Sequence, residues 1–172
     1  MKYFVIAAAL TLPFGAAFAA GGGEETAPKK PKCERGYVYD KKSKTCVQAD
    51  SRLDTDTLYQ TVRELAYAGR YDDAQVVLAV MPQDDDRTLT YLGFINRKMG
   101  RADVAMAYYR QALAVNPGNI LARSYMGQGL VAAGKIADAL AQLRAIRAHG
   151  GSGTWAEASL RKAIATGQTF NY

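Results

Sequence analysis

Histidine and cysteine are scarce in this sequence, and their scarcity excludes several kinds of chemistry. The 172 residues include one histidine, His149, and two cysteines. A zinc site needs three or four converging ligands, and nucleophilic catalysis needs a serine or cysteine with a base within reach. One histidine and a single pair of cysteines supply neither arrangement. The sequence therefore predicts no catalytic residue, no metal site, no cofactor and no enzyme activity.

Signatures of phosphate, calcium and nucleic-acid binding are also missing. No glycine-rich loop follows a predicted strand, and the run Asp84-Asp85-Asp86 lacks the alternating ligands and the closing glutamate of a calcium loop. That run is better interpreted as the start of a helix. The 22 basic and 16 acidic side chains give a net charge of +6, but both signs are scattered along the chain. Without a continuous basic stripe, a nucleic-acid partner is not expected.

The N-terminus has the pattern of a secretory signal peptide. Lys2 precedes an apolar run, and Ala17-Phe18-Ala19 fits the small-x-small rule for cleavage. We predict a signal peptide over residues 1–19, cut between Ala19 and Ala20, and a periplasmic or secreted protein of bacterial type. The alternative is a retained anchor, because the uncharged run that ends at Ala20 is long enough to span a bilayer.

Two short segments follow the predicted signal peptide. Residues 20–32 are rich in glycine, proline and charge, which predicts a flexible linker. Residues 33–47 contain both cysteines, Cys33 and Cys46, and two short runs with strand character separated by a polar turn. In an exported protein such a pair predicts a disulfide. We therefore predict a separate small unit, a disulfide-closed β-hairpin that packs on the rest of the chain or tethers it.

The hairpin sequence also allows a binding role. Its spacing of cysteine, glycine and aspartate resembles a fragment of small chitin-binding modules. That resemblance implies that Tyr37 and Tyr39 stack on a sugar. Glycan binding is thus an alternative to a purely structural hairpin.

The main part of the chain is built from a repeated pattern. Residues 86–119 form a 34-residue unit in which two amphipathic helical patterns flank Gly100. The pattern recurs around Gly134, 34 residues later, and around Gly69, 31 residues earlier. In the first unit Pro82 ends the second helix early. The positions that carry the pattern in the central unit are Leu89, Leu92, Gly93, Ala105, Tyr108, Tyr109, Ala112 and Leu113.

This pattern resembles the tetratricopeptide repeat, which combines a Leu-Gly pair, a turn glycine, an Ala-x-x-x-aromatic segment and a late proline at this period. The resemblance implies an all-α fold over residues 54–172. It would be a right-handed α-solenoid of about three antiparallel helical hairpins with a C-terminal capping helix. The expected bounds are 54–82, 86–117 and 119–149 for the helical hairpins and 154–167 for the capping helix.

The resemblance also implies a function. Arrays of this family bind extended or helical peptide segments of partner proteins in a concave groove lined by the first helix of each helical hairpin. We therefore expect a scaffold for protein–protein interaction in the bacterial envelope. Its partner would be a protein or peptide, and the basic side chains of the groove would favour an acidic one. The alternative is a self-assembling structural protein of the envelope. The expected groove residues are Tyr59, Arg63, Tyr67, Arg87, Thr90, Phe94, Arg97, Lys98, Ser124 and Gln128.

Overall fold

The computed structural model describes residues 31–170. The predicted signal peptide, most of the predicted linker and the last two residues lie outside this range. Within it the chain forms a two-stranded antiparallel sheet followed by seven helices, and the predicted class, a helical-repeat solenoid with a small disulfide-closed hairpin, is confirmed. The elements are β1 Tyr37–Asp40, β2 Thr45–Gln48, α1 Thr55–Tyr67, α2 Tyr71–Leu78, α3 Asp86–Lys98, α4 Ala102–Val115, α5 Ile120–Ala132, α6 Ile136–Ala148 and α7 Trp155–Thr166.

Each first helix of a helical hairpin begins at a side-chain cap. Asp54 accepts a hydrogen bond from the Thr57 amide, Asp85 from the Arg87 and Thr88 amides, and Asn119 from the Ala122 amide. These caps satisfy amides that have no partner inside the helix. Helix α7 starts in the same way, since Thr154 accepts from the Glu157 amide. The polar residue before each apolar pattern therefore sets where the helix begins.

Each helical hairpin turns at a glycine that ends its first helix. Gly69, Gly100 and Gly134 have φ angles of 74°, 81° and 72°, a left-handed conformation that other residues rarely adopt. The residue after each glycine donates its amide back into the last turn, as Arg101 does to the Asn96 carbonyl at 2.8 Å. This pattern is the Schellman motif, and its recurrence gives the three turns the same geometry.

Small residues let the paired helices approach closely. A Cβ atom added at Gly93 would lie 2.5 Å from Cε1 of Tyr109, whose ring is fully buried. A Cβ atom at Gly127, the same repeat position, would lie 2.6 Å from Cδ2 of Leu160 in α7. Glycine is therefore required at both positions by the packing of a large neighbour.

The β-hairpin, which we expected to pack on or tether the helical domain, packs on the helices and contributes to their core. Val38 is fully buried against α1, in one apolar cluster with Leu58 and Val62. From α2, the Arg70 guanidinium donates to the Cys33 carbonyl at 3.3 and 3.4 Å. A two-stranded hairpin has almost no core of its own, so its inward side chain is stabilised by packing on a helix.

Helix α7 covers the other end of the array by packing on α5 and α6. Leu160 and Ala163 are fully buried there. Glu157 is only 9% exposed. It accepts hydrogen bonds from Arg147 Nε at 2.6 Å and from the Gly153 amide at 2.8 Å, because the first turn of α7 lies against the end of α6. Over residues 31–170, no helix has the length and apolar content needed to cross a membrane.

Candidate functional site

The first helices of the three helical hairpins and α7 share a surface that is rich in aromatic rings. Helix α3 contacts both α1 and α5, and α5 contacts α7. Neighbouring rings along this surface have centroids 4.7 to 6.4 Å apart, and most pairs are edge-to-face or tilted, which is the favourable geometry for aromatic pairs. We call these residues the aromatic row. They are Tyr59, Tyr67, Tyr91, Phe94, Tyr125 and Trp155.

Hydrogen bonds between tyrosines hold the centre of the aromatic row in place. The Tyr67 hydroxyl lies 2.6 Å from the Tyr91 hydroxyl and 3.1 Å from the Tyr125 hydroxyl. Burial, followed by the neighbouring phenols, raises the pKa of both Tyr91 and Tyr125 far above the ordinary value. Tyr91 and Tyr125 therefore stay neutral at physiological pH, and their hydrogen bonds with Tyr67 link α1, α3 and α5 through side chains.

Two arginines lie over the exposed end of the aromatic row. The Arg63 guanidinium carbon is 5.9 Å from the Tyr59 ring centroid and 5.8 Å from that of Tyr67, and the carbon of Arg87 is 5.0 Å from the Tyr59 ring. Such positions give cation–π attraction. Arg87 also forms an ion pair with Asp56 at 2.6 Å, so part of its charge is neutralised inside the protein.

Beside the aromatic row the surface is open. A cavity of 290 Å³ separates α1 from the first turn of α7, and a second cavity of 330 Å³ lies near the first turns of α3 and α5. The two cavities share Tyr59, Ile120 and Leu121, so they form one continuous depression, which we call the groove. The side chains that define it are Tyr59, Arg63, Tyr67, Ile120, Leu121 and Trp155.

The structure brings five of the predicted groove residues to the open depression. Tyr59, Arg63 and Tyr67 line the first cavity, and Arg87 and Thr90 line the second. Arg97 and Lys98 lie at the far end of α3, where each cation is 5.8 Å from the Phe94 ring centroid. Whether any of these residues contacts a partner stays a prediction.

Four of the predicted residues are buried: Thr90, Phe94, Ser124 and Gln128. Thr90 still lines the second cavity, but the expectation of an open position is wrong for the other three. Phe94 is fully buried because the rings of Tyr67 and Tyr125 pack on it. Thr90 is 1% exposed and borders the second cavity, but its hydroxyl donates to the Asp86 carbonyl at 2.6 Å. A polar or aromatic side chain at these positions therefore does not indicate exposure.

Ser124 and Gln128 are fully buried because α7 and the tail after it cover that side of α5. The Ser124 hydroxyl lies 3.0 Å from the Ser159 hydroxyl of α7. The Gln128 side-chain carbonyl accepts the Phe170 amide at 2.6 Å. Both side chains are thus used inside the protein, and the groove ends where α7 begins.

Sequence reasoning missed Tyr91, Tyr125 and Trp155, of which Tyr91 and Trp155 line the groove. Tyr91 and Tyr125 are separated by 34 residues, so they occupy the same position in successive repeats, and this spacing was a readable signal. Trp155, at the first position of α7, was not among the expected groove residues. Its place in the groove depends on how α7 packs, which no local pattern reveals.

Near Arg97 the core contains polar atoms without partners. In the part of the chain that the structure describes, Nε and Nη2 of Arg97 and the hydroxyl of Tyr109 are buried and accept or donate no hydrogen bond. Burial raises the pKa of Tyr109 to about 12, and burial followed by the charge of Arg97 lowers the pKa of Lys98. This end of α3 thus carries an arginine that is costly to bury.

The fold is that of a helical-repeat protein. A family model described as a tetratricopeptide repeat matches residues 97–163, from the end of α3 into α7. Among solved structures, the type III secretion translocator chaperone SycD of Yersinia enterocolitica is similar with a TM-score of 0.55 and 20% identity, over 66% of this chain and 85% of that chain. At this identity the likeness concerns the fold. No curated protein matches the chain.

The family match does not extend over the first helical hairpin. Helices α1 and α2 lie before residue 97, and the interval from Gly69 to Gly100 is three residues shorter than the repeat period. Helix α2 has 8 residues, against 14 in α4 and 13 in α6. One wall of the groove thus comes from the least regular repeat.

Proposed function

We propose that this protein is an exported, non-catalytic scaffold of the bacterial envelope, and that it holds an extended segment of a partner protein in the groove. The observation that carries the proposal is the open depression beside the aromatic row, between Tyr59 on α1 and Trp155 on α7. Aromatic and arginine side chains are the residues that most often dominate the energy of protein interfaces. The groove combines both kinds.

The aromatic row also makes the groove rigid before any partner arrives. Its rings are packed edge to face, and Tyr67 is hydrogen-bonded to Tyr91 and Tyr125. A surface whose side chains are already ordered loses little entropy on binding, so more of the contact energy appears as affinity. The named structural relative, a chaperone, is itself a protein that acts on other proteins, which is consistent with a protein partner.

Two features support export. The Cys33–Cys46 disulfide closes the hairpin, and disulfides persist in oxidising compartments such as the periplasm. The sequence of residues 1–19 has the charge, apolar run and cleavage triplet of a signal peptide. The periplasm is therefore the compartment that we propose.

A peptide selection tests the groove directly. A displayed library of random 12-residue peptides is selected on the wild-type protein, and the affinities of the enriched peptides are measured by the fluorescence of Trp155. This residue is the single tryptophan of the chain and lines the groove. Leu121→Arg places a long charged side chain in the groove, and we expect it to weaken binding by at least about tenfold.

Leu140→Arg is the matched control, because Leu140 lies on α6 outside the groove and is 38% exposed. We expect this variant to bind the selected peptides like the wild type, with the same far-UV circular dichroism. The proposal fails if no peptide is enriched, or if the two arginine variants bind equally well.

A further inference from the structure

A third cavity continues the groove toward the β-hairpin. It measures 780 Å³ and separates the β1–β2 turn from the first turns of α1 and α3. Tyr59 and Arg87 line both this cavity and the 330 Å³ cavity of the groove. A chain segment that leaves the groove at Tyr59 therefore enters a second recess, whose outer wall is the hairpin turn with Lys41 and Lys42.

Most charged groups of this recess already make contacts within the protein. The Asp40 carboxylate accepts the amides of Ser43 and Lys42, which hold its pKa below the ordinary value, and Asp54 caps α1, so both carboxylates stay negatively charged. Arg87 forms its ion pair with Asp56.

The arginine of the hairpin side is paired as well. Arg52 donates two hydrogen bonds to the Asp50 carboxylate, at 2.8 and 3.0 Å. Lys41 and Lys42 remain: both are exposed, line the recess, and form no ion pair with any residue of the range 31–170. Lys41 and Lys42 are therefore the cations of the recess that no ion pair neutralises, and they face outward on the hairpin turn, while Asp40 and Asp54 hold their carboxylates on backbone amides.

We propose that the hairpin turn extends the binding surface, and that the partner segment carries acidic side chains that lie against Lys41 and Lys42. This inference rests on the proposed function of the groove. The occupant is a flexible protein segment and not a membrane, because the recess opens into the groove at Tyr59 and a flat lipid surface cannot follow that path. Opposite charges at the rim of an interface direct the orientation of the segment and accelerate association.

The test uses one groove-binding 12-residue peptide from the selection, extended at either end by Glu-Ser-Glu or by Gln-Ser-Gln. Binding is followed by Trp155 fluorescence in the full chain. We expect the acidic extension at one end to bind about fivefold more tightly than the neutral one, which is the size of effect that two exposed ion pairs give. In Lys41→Gln/Lys42→Gln this preference disappears, and in the wild type it also disappears at roughly 0.5 M salt.

The matched control is Lys135→Gln/Arg144→Gln, which removes the same charge from the exposed side of α6. It keeps the preference for the acidic extension. Equal binding of both extensions to the wild type overturns the inference, and so does a preference that persists without Lys41 and Lys42. In either case, tight binding of the neutral peptide leaves the proposed function of the groove intact. Failure of every peptide to bind contradicts that proposed function as well.

Two other occupants give distinct results. The first is a membrane surface, tested with vesicles that contain anionic lipid. If the wild type binds these vesicles, and Lys41→Gln/Lys42→Gln abolishes that binding but leaves peptide binding unchanged, the turn contacts lipid and the inference is overturned. The chain also has its own acidic pair, Glu24-Glu25, within the sequence before residue 31. If Glu24→Gln/Glu25→Gln abolishes the effect of the lysine substitutions on peptide binding, the lysines serve that internal segment and the inference fails.

Discussion

The two ends of the helical array are closed in different ways. At the N-terminal end, residues 33–48 form a β-hairpin in which Val38 is the only buried residue and a disulfide joins the strands. At the C-terminal end, α7 buries five of its twelve residues against α5 and α6. At each end an arginine of the adjacent repeat donates a hydrogen bond to the covering element: Arg70 to the hairpin and Arg147 to α7. The difference shows that a repeat array needs a cover over its exposed face, not a cover of one particular secondary structure.

The comparison predicts that the C-terminal cover is stabilised mainly by packing. Leu160→Ala removes a fully buried side chain that lies directly over Gly127, and we expect it to lower the free energy of unfolding by about 4 kcal/mol. Urea denaturation followed by circular dichroism measures the change. Leu140→Ala is the control on the exposed side of α6, with an expected change within about 0.5 kcal/mol.

Substitution of Gly127, alone and together with Leu160→Ala, tests the same contact between α5 and α7. In the wild type Gly127→Ala is destabilising, because its Cβ would meet Leu160 at 2.6 Å. In the Leu160→Ala background the space is free, and alanine gains about 1 kcal/mol over glycine in a helix. If Gly127→Ala has the same effect in both backgrounds, the two residues are not packed as described.

The stability of the N-terminal cover is expected to depend on its disulfide bond. Cys33→Ser/Cys46→Ser opens a loop with a sequence separation of 13, and loss of such a link costs about 3 kcal/mol. Because Val38 packs on Leu58 and Val62, hydrogen exchange should become faster in α1 and stay slow in α5 and α7. Unchanged protection of α1 would show that the hairpin contributes nothing to the helical core.

The smallest expected effect concerns the ion pair at the start of α7. The Gly153 amide, followed by Arg147, holds the pKa of Glu157 below its ordinary value of 4.5. A lowered pKa in the folded state means that the carboxylate stabilises the fold above pH 4.5, and that this contribution is lost as the pH falls through the folded pKa. The Tm of Glu157→Gln should therefore be below that of the wild type at pH 7, with a difference that shrinks toward acid pH.

Glu34→Gln is the matched control at the other end of the array. Glu34 is exposed, and its carboxylate forms no hydrogen bond within residues 31–170. Its Tm difference from the wild type should stay flat across the same pH range. A flat difference for Glu157→Gln as well would contradict the role assigned to this ion pair.

The fold could be predicted because its determinants are local. Gly69, Gly100 and Gly134 mark the turns, and residues such as Asp85 and Thr154 mark the starts of helices. Each of these signals acts within a few residues of chain, so a pattern search detects it. The hairpin sequence was equally readable, but its docking on α1 depends on a contact between Val38 and residues 20 or more positions away.

The groove was only partly predictable for the same reason. Tyr59 and Arg63, which were chosen by their position within a repeat, line the first cavity of the groove. The same rule placed Ser124 and Gln128 in the open, although α7 covers them, because a capping helix alters the surface of the last repeat. Phe94 of the central repeat is buried as well, so position within a repeat does not by itself separate exposed residues from buried ones.

The order of contacts along the chain has a consequence for how the protein forms. The hairpin packs on α1, each first helix packs on the helix that follows and on the next first helix, and α7 packs on α5 and α6. Every element thus meets its partners soon after it is made, without waiting for the other end of the chain. Low sequence separation between contacts favours fast folding, so the array is suited to assembling progressively as the polypeptide emerges from a ribosome or a translocation channel.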